Sequence, residues 1–301
     1  MSESDFLIVR PITISDAILT STSVADTVAA YNAGTTYALG QQVRSDATHR
    51  VYESLANSNL GNALTDVTKW LDIGPTNPWA MFDSLNSTQT TAADEIEVVF
   101  EPGSRVDVIG LLNTNATSAR VIAEDSIDGT VFDQTFSLVS DSGIVDWYTY
   151  FTEPIEVETD LVVTGLPALY SGLTFTVTLL YAGATVACGA LVAGLAKVAG
   201  VSLAGASTGI LDFSRKSTDD FGNVSITERG YANKGNFRIV AENSNIVSVQ
   251  RLLSEFRAAP ALYVGSENFA NTFIYGFFRD FSIAIEQPTQ SIISIELEGL
   301  L

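Results

Sequence analysis

The sequence predicts a mainly β fold: an N-terminal arm, a small aromatic β-module, an antiparallel jelly-roll-like sandwich, and a C-terminal β-rich α+β domain with one main helix. Three observations carry this expectation. Short runs alternate apolar residues with Thr, Ser and acidic residues, the period of a strand with one wet face. Gly, Pro, Asn and Asp gather between those runs as turn formers. A single stretch, with Ile246, Val249, Leu253 and Phe256, spaces its apolar residues at helical intervals.

Taken in order, residues 1–30 read as an arm, with one strand at Phe6, Leu7, Ile8 and Val9 ended by Pro11. Residues 31–74 form an aromatic module in which Tyr31, Tyr37, Tyr52 and Trp70 sit on strand-like pieces separated by turns. Residues 75–182 read as the sandwich. Glu95 to Phe100 alternates and closes at the Pro102-Gly103 turn, residues 105–112 follow as a buried strand, and Asp128-Gly129 marks a hairpin between residues 120–124 and 131–138. Leu173 to Leu179 alternates apolar residues with Thr. Residues 183–215 read as a Gly-rich connector.

In residues 216–301 the runs 224–229, 237–240, 262–264, 273–278, 281–285 and 292–297 are strand-like. The helix between them is expected to be capped by Ser244 or Asn245 and ended by Ala259-Pro260.

Composition bounds the function. At 301 residues, 46% of them hydrophobic, the chain can bury a substantial core spread over two or three domains. Its net charge is −20, from 35 acidic against 15 basic residues. Phosphate binding needs a Lys/Arg field, so nucleic acid is not an expected partner, and an anionic membrane surface would repel the chain. The apolar stretch 185–206 carries Lys197 and is broken by Gly189, Gly194, Gly200 and Gly205. It is therefore expected as Gly-punctuated strands lying against another surface, not as a membrane span. Residues 1–10 have neither the basic region nor the apolar core of a signal peptide.

Catalytic chemistry is sparse. His49 is the only histidine and reads as an exposed turn residue. Cys188 is the only cysteine and reads as a buried, inert thiol. A conventional zinc site lacks ligands, no phosphate-cradling loop is present, and no cofactor is expected. The clusters Asp125/Asp128 and Asp219/Asp220/Asn223 read as Asx turns, with calcium binding as the alternative. No enzymatic activity is expected.

The candidate binding residues are Tyr37, Tyr52 and Trp70. Sugar rings present apolar C–H faces that stack on aromatic rings, so an exposed Tyr/Trp platform would take a glycan. The same residues are also the material from which so small a module would build its own core. Trp79, Met81 and Phe82 read as staples between the module and the sandwich.

Two resemblances add to this reading. Tyr37, Gly40, Val43, Tyr52-Glu53-Ser54 and Trp70 match the pattern of the small chitin-binding carbohydrate modules of families 5 and 12, with Tyr31 standing where those modules open on Trp. The resemblance implies binding of a host-surface glycan.

Over nearly its full length the chain resembles a tail protein of long-tailed bacteriophages and prophages. The matching motifs are Gly74 to Asp83, Asp212 to Lys216, Asp220 to Val224, Glu228 to Ala232, Ile274 to Ile283 and Glu296 to Leu300. That resemblance implies a structural virion component of the distal tail, made in the host bacterial cytoplasm, whose partners are other tail proteins and copies of itself. The middle region also resembles a galactose-binding-type jelly roll, in Phe82-Asp83, residues 96–100 with Pro102-Gly103, and residues 106–112.

Overall fold

A computed structural model of the protein describes residues 5–140, 146–152, 156–167, 169–170, 172–218, 221–267, 269–285 and 287–300. The chain opens with β1 (Asp5–Pro11) and β2 (Leu19–Thr22). The aromatic module follows as β3 (Thr36–Tyr37), β4 (Gln42–Ser45), β5 (Arg50–Ser54), β6 (Asn59–Leu60) and β7 (Trp70–Pro75). Within it β4, β5 and β7 make a three-stranded antiparallel sheet, and β3 pairs with β6. A 3₁₀ helix, Asn77–Phe82, with Pro78 in its first turn, then leads into the sandwich.

The sandwich comprises β8 (Thr90–Phe100), β9 (Val108–Thr114), β10 (Ser118–Asp125), β11 (Gly129–Ser137), the short β12 (Val139–Ser140), α1 (Trp147–Thr152), β13 (Glu156–Val157), β14 (Leu161–Val163) and the first part of β15 (Thr174–Ser202). The start of β15 lies between β8 and β10. Its alternation does what the sequence implies: Phe175, Val177 and Leu179 are buried, while Thr174, Thr176 and Thr178 are partly open. On one flank Phe100, Val98 and Ile96 stand directly opposite those three residues. On the other, Ala123 and Ala119 face Phe175 and Leu179, so small residues make room for large ones. The hairpin expected at Asp128-Gly129 forms between β10 and β11.

Within the stretch placed as a connector, residues 183–215, the Gly-punctuated strand expected over 185–206 forms, but as structure integral to both halves: residues 183–202 continue β15, which passes from the sandwich into the C-terminal domain, and β16 (Ser207–Asp212) follows. Residues 186–194 are buried on both faces. Leu191 and Ala193 face the sandwich core, and Ala190 and Val192 face a second apolar cluster with Leu7, Val9, Leu262 and Val264. This explains why the segment is as apolar as a membrane helix while forming a strand. Its small residues permit close backbone approach. A Cβ at Gly194 would collide with the Arg10 carbonyl. No helix among the described residues is long and apolar enough to cross a membrane.

The remaining elements are β17 (Arg215–Thr218), β18 (Val224–Thr227), β19 (Tyr231–Glu242), α2 (Ile246–Glu255), β20 (Ala261–Val264), β21 (Phe273–Ala284) and β22 (Gln290–Gly299). The two runs expected at 273–278 and 281–285 join into β21 through a bulge between Phe278 and Asp280. The pairings β15–β1–β20–β21–β22–β19 return to β15 through Val201↔Val240 and Ser202↔Ile239, closing a six-stranded antiparallel barrel. Closure leaves these strands no free edge at the seam. Gly200 lies at that seam with φ 150°, where a Cβ would meet the Val240 carbonyl.

The strand expected at Phe6 to Val9 forms, but inside a barrel and not on a free arm. β1 is an internal stave of the barrel, held between β15 and β20. Phe6 and Ile8 enter the barrel core, and Leu7 and Val9 enter the cluster shared with the sandwich. A strand buried on both faces reads as a continuous apolar run, as Phe6 to Val9 does.

The barrel core draws Phe6, Ala199, Phe237, Tyr263, Ile274 and Ile295 from its six strands, with Val249, Leu253 and Phe256 from α2 and the turn after it. Phe6 and Phe237 meet edge to face at 5.4 Å. The helix ends before Pro260, with Ala259 extended, as expected. Its start differs. Asn245 occupies the cap position in a helical conformation without a side-chain cap bond, and the Ser244 hydroxyl donates to Glu242 instead.

Candidate functional site

The three residues named for glycan contact do come together, but around a shared interior. Tyr37 is 4% exposed and Trp70 is 2% exposed. With Val43 they form the module's core, and Tyr31, Tyr52 and Leu64 pack on it. Tyr37 meets Trp70 edge to face at 5.3 Å, and Tyr31 stacks on Tyr37 at 5.9 Å. Their polar tips are satisfied internally. The Tyr31 hydroxyl and the Trp70 Nε1–H both donate to the Asn62 carbonyl, at 2.7 and 3.1 Å. The Tyr37 hydroxyl accepts from the Asn32 N–H at 2.7 Å. Neither Tyr37 nor Trp70 offers a ring face to a ligand, and Tyr52 is half-buried against them. A unit of this size has little else to bury, which is why its aromatics turn inward.

The only histidine does structural work at the module's border. His49 has φ 54°, lies flat on Trp79, and places Nε2 2.9 Å from the Asp16 carboxylate. Its carbonyl accepts from the Thr76 N–H at 2.8 Å. It lies in the turn between β4 and β5, as the sequence suggests, but half-buried and not exposed. Trp79 also meets Phe82 edge to face at 5.8 Å, and Met81 is buried in the sandwich core, so this segment staples the module to the sandwich as expected.

Cys188 is fully buried, and burial pushes its thiol up to about 12. A thiol so held is not a nucleophile at neutral pH. Asp125 accepts from the N–H groups of Ile127 and Asp128 at 2.9 and 3.0 Å, an Asx turn, and these bonds lower its pKa. Asp219 and Asp220 of the second oxygen cluster lie outside the described residues. Among the described residues, no group of three His, Cys, Asp or Glu side chains is placed to hold a metal ion.

At residues 213–230 the strand expected over 224–229 forms, but in a setting the sequence reading did not foresee. There β17 and β18 form a separate two-stranded ribbon in which every residue is exposed. Val224 and Ile226, 63% and 66% exposed, share one face with Thr218 and Lys216 directly opposite. Arg215, Ser217, Ser225 and Thr227 take the other face. Phe213 at its base is also exposed. β16, beside the ribbon, pairs only with β19 among the described residues, leaving an open sheet edge. An isolated two-stranded ribbon is marginal in water, and an apolar face on one marks a contact surface. The signal was present: Val224 and Ile226 alternate with polar residues in a polar stretch.

Compared with known proteins, the chain matches no family model and no curated protein.

Proposed function

We propose that this protein is a structural component of a bacteriophage tail tip that assembles in multiple copies and links the tail to outer or host-contacting proteins. The observation that carries this reading is the exposed ribbon β17–β18, with Val224 and Ile226 on one face beside the open edge of β16. Such a ribbon gains stability when its apolar face and the nearby edge are covered by another chain. The closed barrel and the sandwich supply rigid ground for it, and the resemblance of the sequence motifs to tail proteins supports a tail as the assembly. The reading makes the protein a virion component without catalytic activity.

The alternative role, a glycan-binding adhesin acting through residues 31–74, draws less support, because Tyr37 and Trp70 are committed to the module's core.

The test is self-association. Sedimentation velocity on the full chain should show a concentration-dependent oligomer, and mass spectrometry of purified phage particles should find the protein at several copies per tail. A strict monomer at every concentration, together with absence from particles, would overturn the reading.

A further inference from the structure

Between the sandwich and the barrel lies a cleft of about 360 Å³, within the roughly 300–1,000 Å³ range of small-molecule sites. Its sandwich wall is built around Asn113, which has φ 52°, a left-handed conformation that asparagine tolerates. The Asn113 N–H donates to Asp160 at 2.9 Å, its side-chain amide donates to the Asn86 carbonyl at 2.7 Å, and its own carbonyl accepts from Gln89 Nε2 at 2.9 Å. The first of these bonds holds the half-buried Asp160 carboxylate in the cleft wall, and the other two fix Asn113 itself. The barrel wall presents Tyr231 and Asn233 from β19 and Tyr275 from β21. The side chains of these three residues have no hydrogen-bond partner among the described residues. A second hollow of about 410 Å³ adjoins the first and shares Thr159, Asp160, Tyr231 and Asn233 with it.

The lining selects a ligand class. It holds no lysine or arginine, and Asp160 adds a negative charge to a chain of net charge −20, so phosphates and carboxylates are disfavoured. The groups available are the unpartnered phenol hydroxyls and carboxamide and the remaining acceptor capacity of the Asp160 carboxylate, which together donate and accept. Hydroxyl groups that do both are their natural complement. Tyr231 is well exposed and offers a ring face to an apolar C–H surface. We propose that this cleft binds a neutral oligosaccharide, with Asp160 and Asn233 holding hydroxyls and Tyr231 stacking on a sugar ring. The site is distinct from the aromatic module and does not depend on the assembly role.

The test is an array of neutral and sialylated oligosaccharides probed with the full chain, followed by calorimetric titration of any neutral glycan retained. Tyr231→Ala, Asn233→Ala and Asp160→Asn should each weaken binding about tenfold or more. The first two alter a solvent-facing or partly open side chain, so they remain informative if Asp160→Asn fails to fold. Binding to no neutral glycan, binding to sialylated glycans alone, or binding that survives Tyr231→Ala and Asn233→Ala but is lost in Tyr52→Ala would each overturn the proposal. The last result would place the sugar on the module. None of these outcomes depends on whether the chain self-associates.

Discussion

The imidazole of His49 lies on the indole of Trp79 with ring centroids 3.9 Å apart and planes 16° apart. The Asp16 carboxylate grips the same imidazole from the N-terminal segment. One side chain thus ties together three parts of the chain. A double-mutant cycle of His49→Ala and Trp79→Ala should give a coupling of about 1 kcal/mol. Amide exchange should quicken in β4, β5 and β7 and stay unchanged in β19 and β22. Equal quickening in the barrel would show that the joint is not local.

Trp70→Ala should remove about 3–5 kcal/mol from the aromatic module, the usual cost of truncating a buried large aromatic. Residues 31–74 should then become sensitive to limited proteolysis while the sandwich stays resistant. Tyr52→Ala, at a half-buried position, should do much less. If Trp70→Ala leaves the module protected, its ring is not the core element that its burial indicates.

Alkaline pH should destabilise the protein through Cys188. In the unfolded chain the thiol ionises near its ordinary value of 9.0, whereas burial holds it neutral up to about 12 in the fold. The folded state therefore binds more protons in that window, and stability falls as pH rises. The slope is about 1.4 kcal/mol per pH unit between 9 and about 12, with no contribution below 9. Urea midpoints at neutral and alkaline pH should diverge in the wild type and diverge less in Cys188→Ala. The comparison is between slopes, because the substitution also leaves a small cavity.

Gly194→Ala should cost more than about 3 kcal/mol, because the added carbon meets the Arg10 carbonyl, a backbone atom that cannot swing aside. Gly183→Ala offers a contrast. Nothing lies within 4 Å of its Cβ position, and only its φ of 76° resists. That change should cost about 1–2 kcal/mol. Denaturation midpoints of the two variants would rank the close approach against backbone strain, and the reverse order would sink the account of β15.

Val224→Asp combined with Ile226→Asp should leave stability within about 0.5 kcal/mol, since both side chains are solvent-facing in the single chain. Self-association should be lost. Wild-type association should strengthen as salt screens the repulsion between copies of net charge −20. Sedimentation at low and moderate ionic strength checks both points, and an oligomer that survives the double substitution would remove the ribbon from the interface.

What the sequence disclosed and what it withheld divide along one physical line. Sandwich strands with one wet face were legible from alternation, as Phe175/Thr176/Val177/Thr178 shows, and β9, buried on both faces, was legible as a short apolar run after the Pro102-Gly103 turn. The helix 246–255 was legible because Val249 and Leu253 bury one stripe. β1 and the second half of β15 were read as strands, but being buried on both faces they lack the alternation that would say what covers them, and they were placed in an arm and a connector. Their partners lie far away in the chain, where no local pattern reaches. The cleft was hidden for a related reason: Asp160, Tyr231 and Tyr275 meet only through tertiary packing. Tyr37, Tyr52 and Trp70 lie in one cluster, but composition alone does not say which way a ring faces.

The unbroken course of β15 has a mechanical consequence. One polypeptide segment is at once the centre of the sandwich and a stave of the barrel. A pull applied across the two halves is therefore carried along covalent backbone and resisted by ladders loaded in shear. The ladders with β8 and β9 hold one end of that segment, the ladder with β1 holds the other, and the two meet at Gly194, so neither end slips along the chain without shearing a ladder.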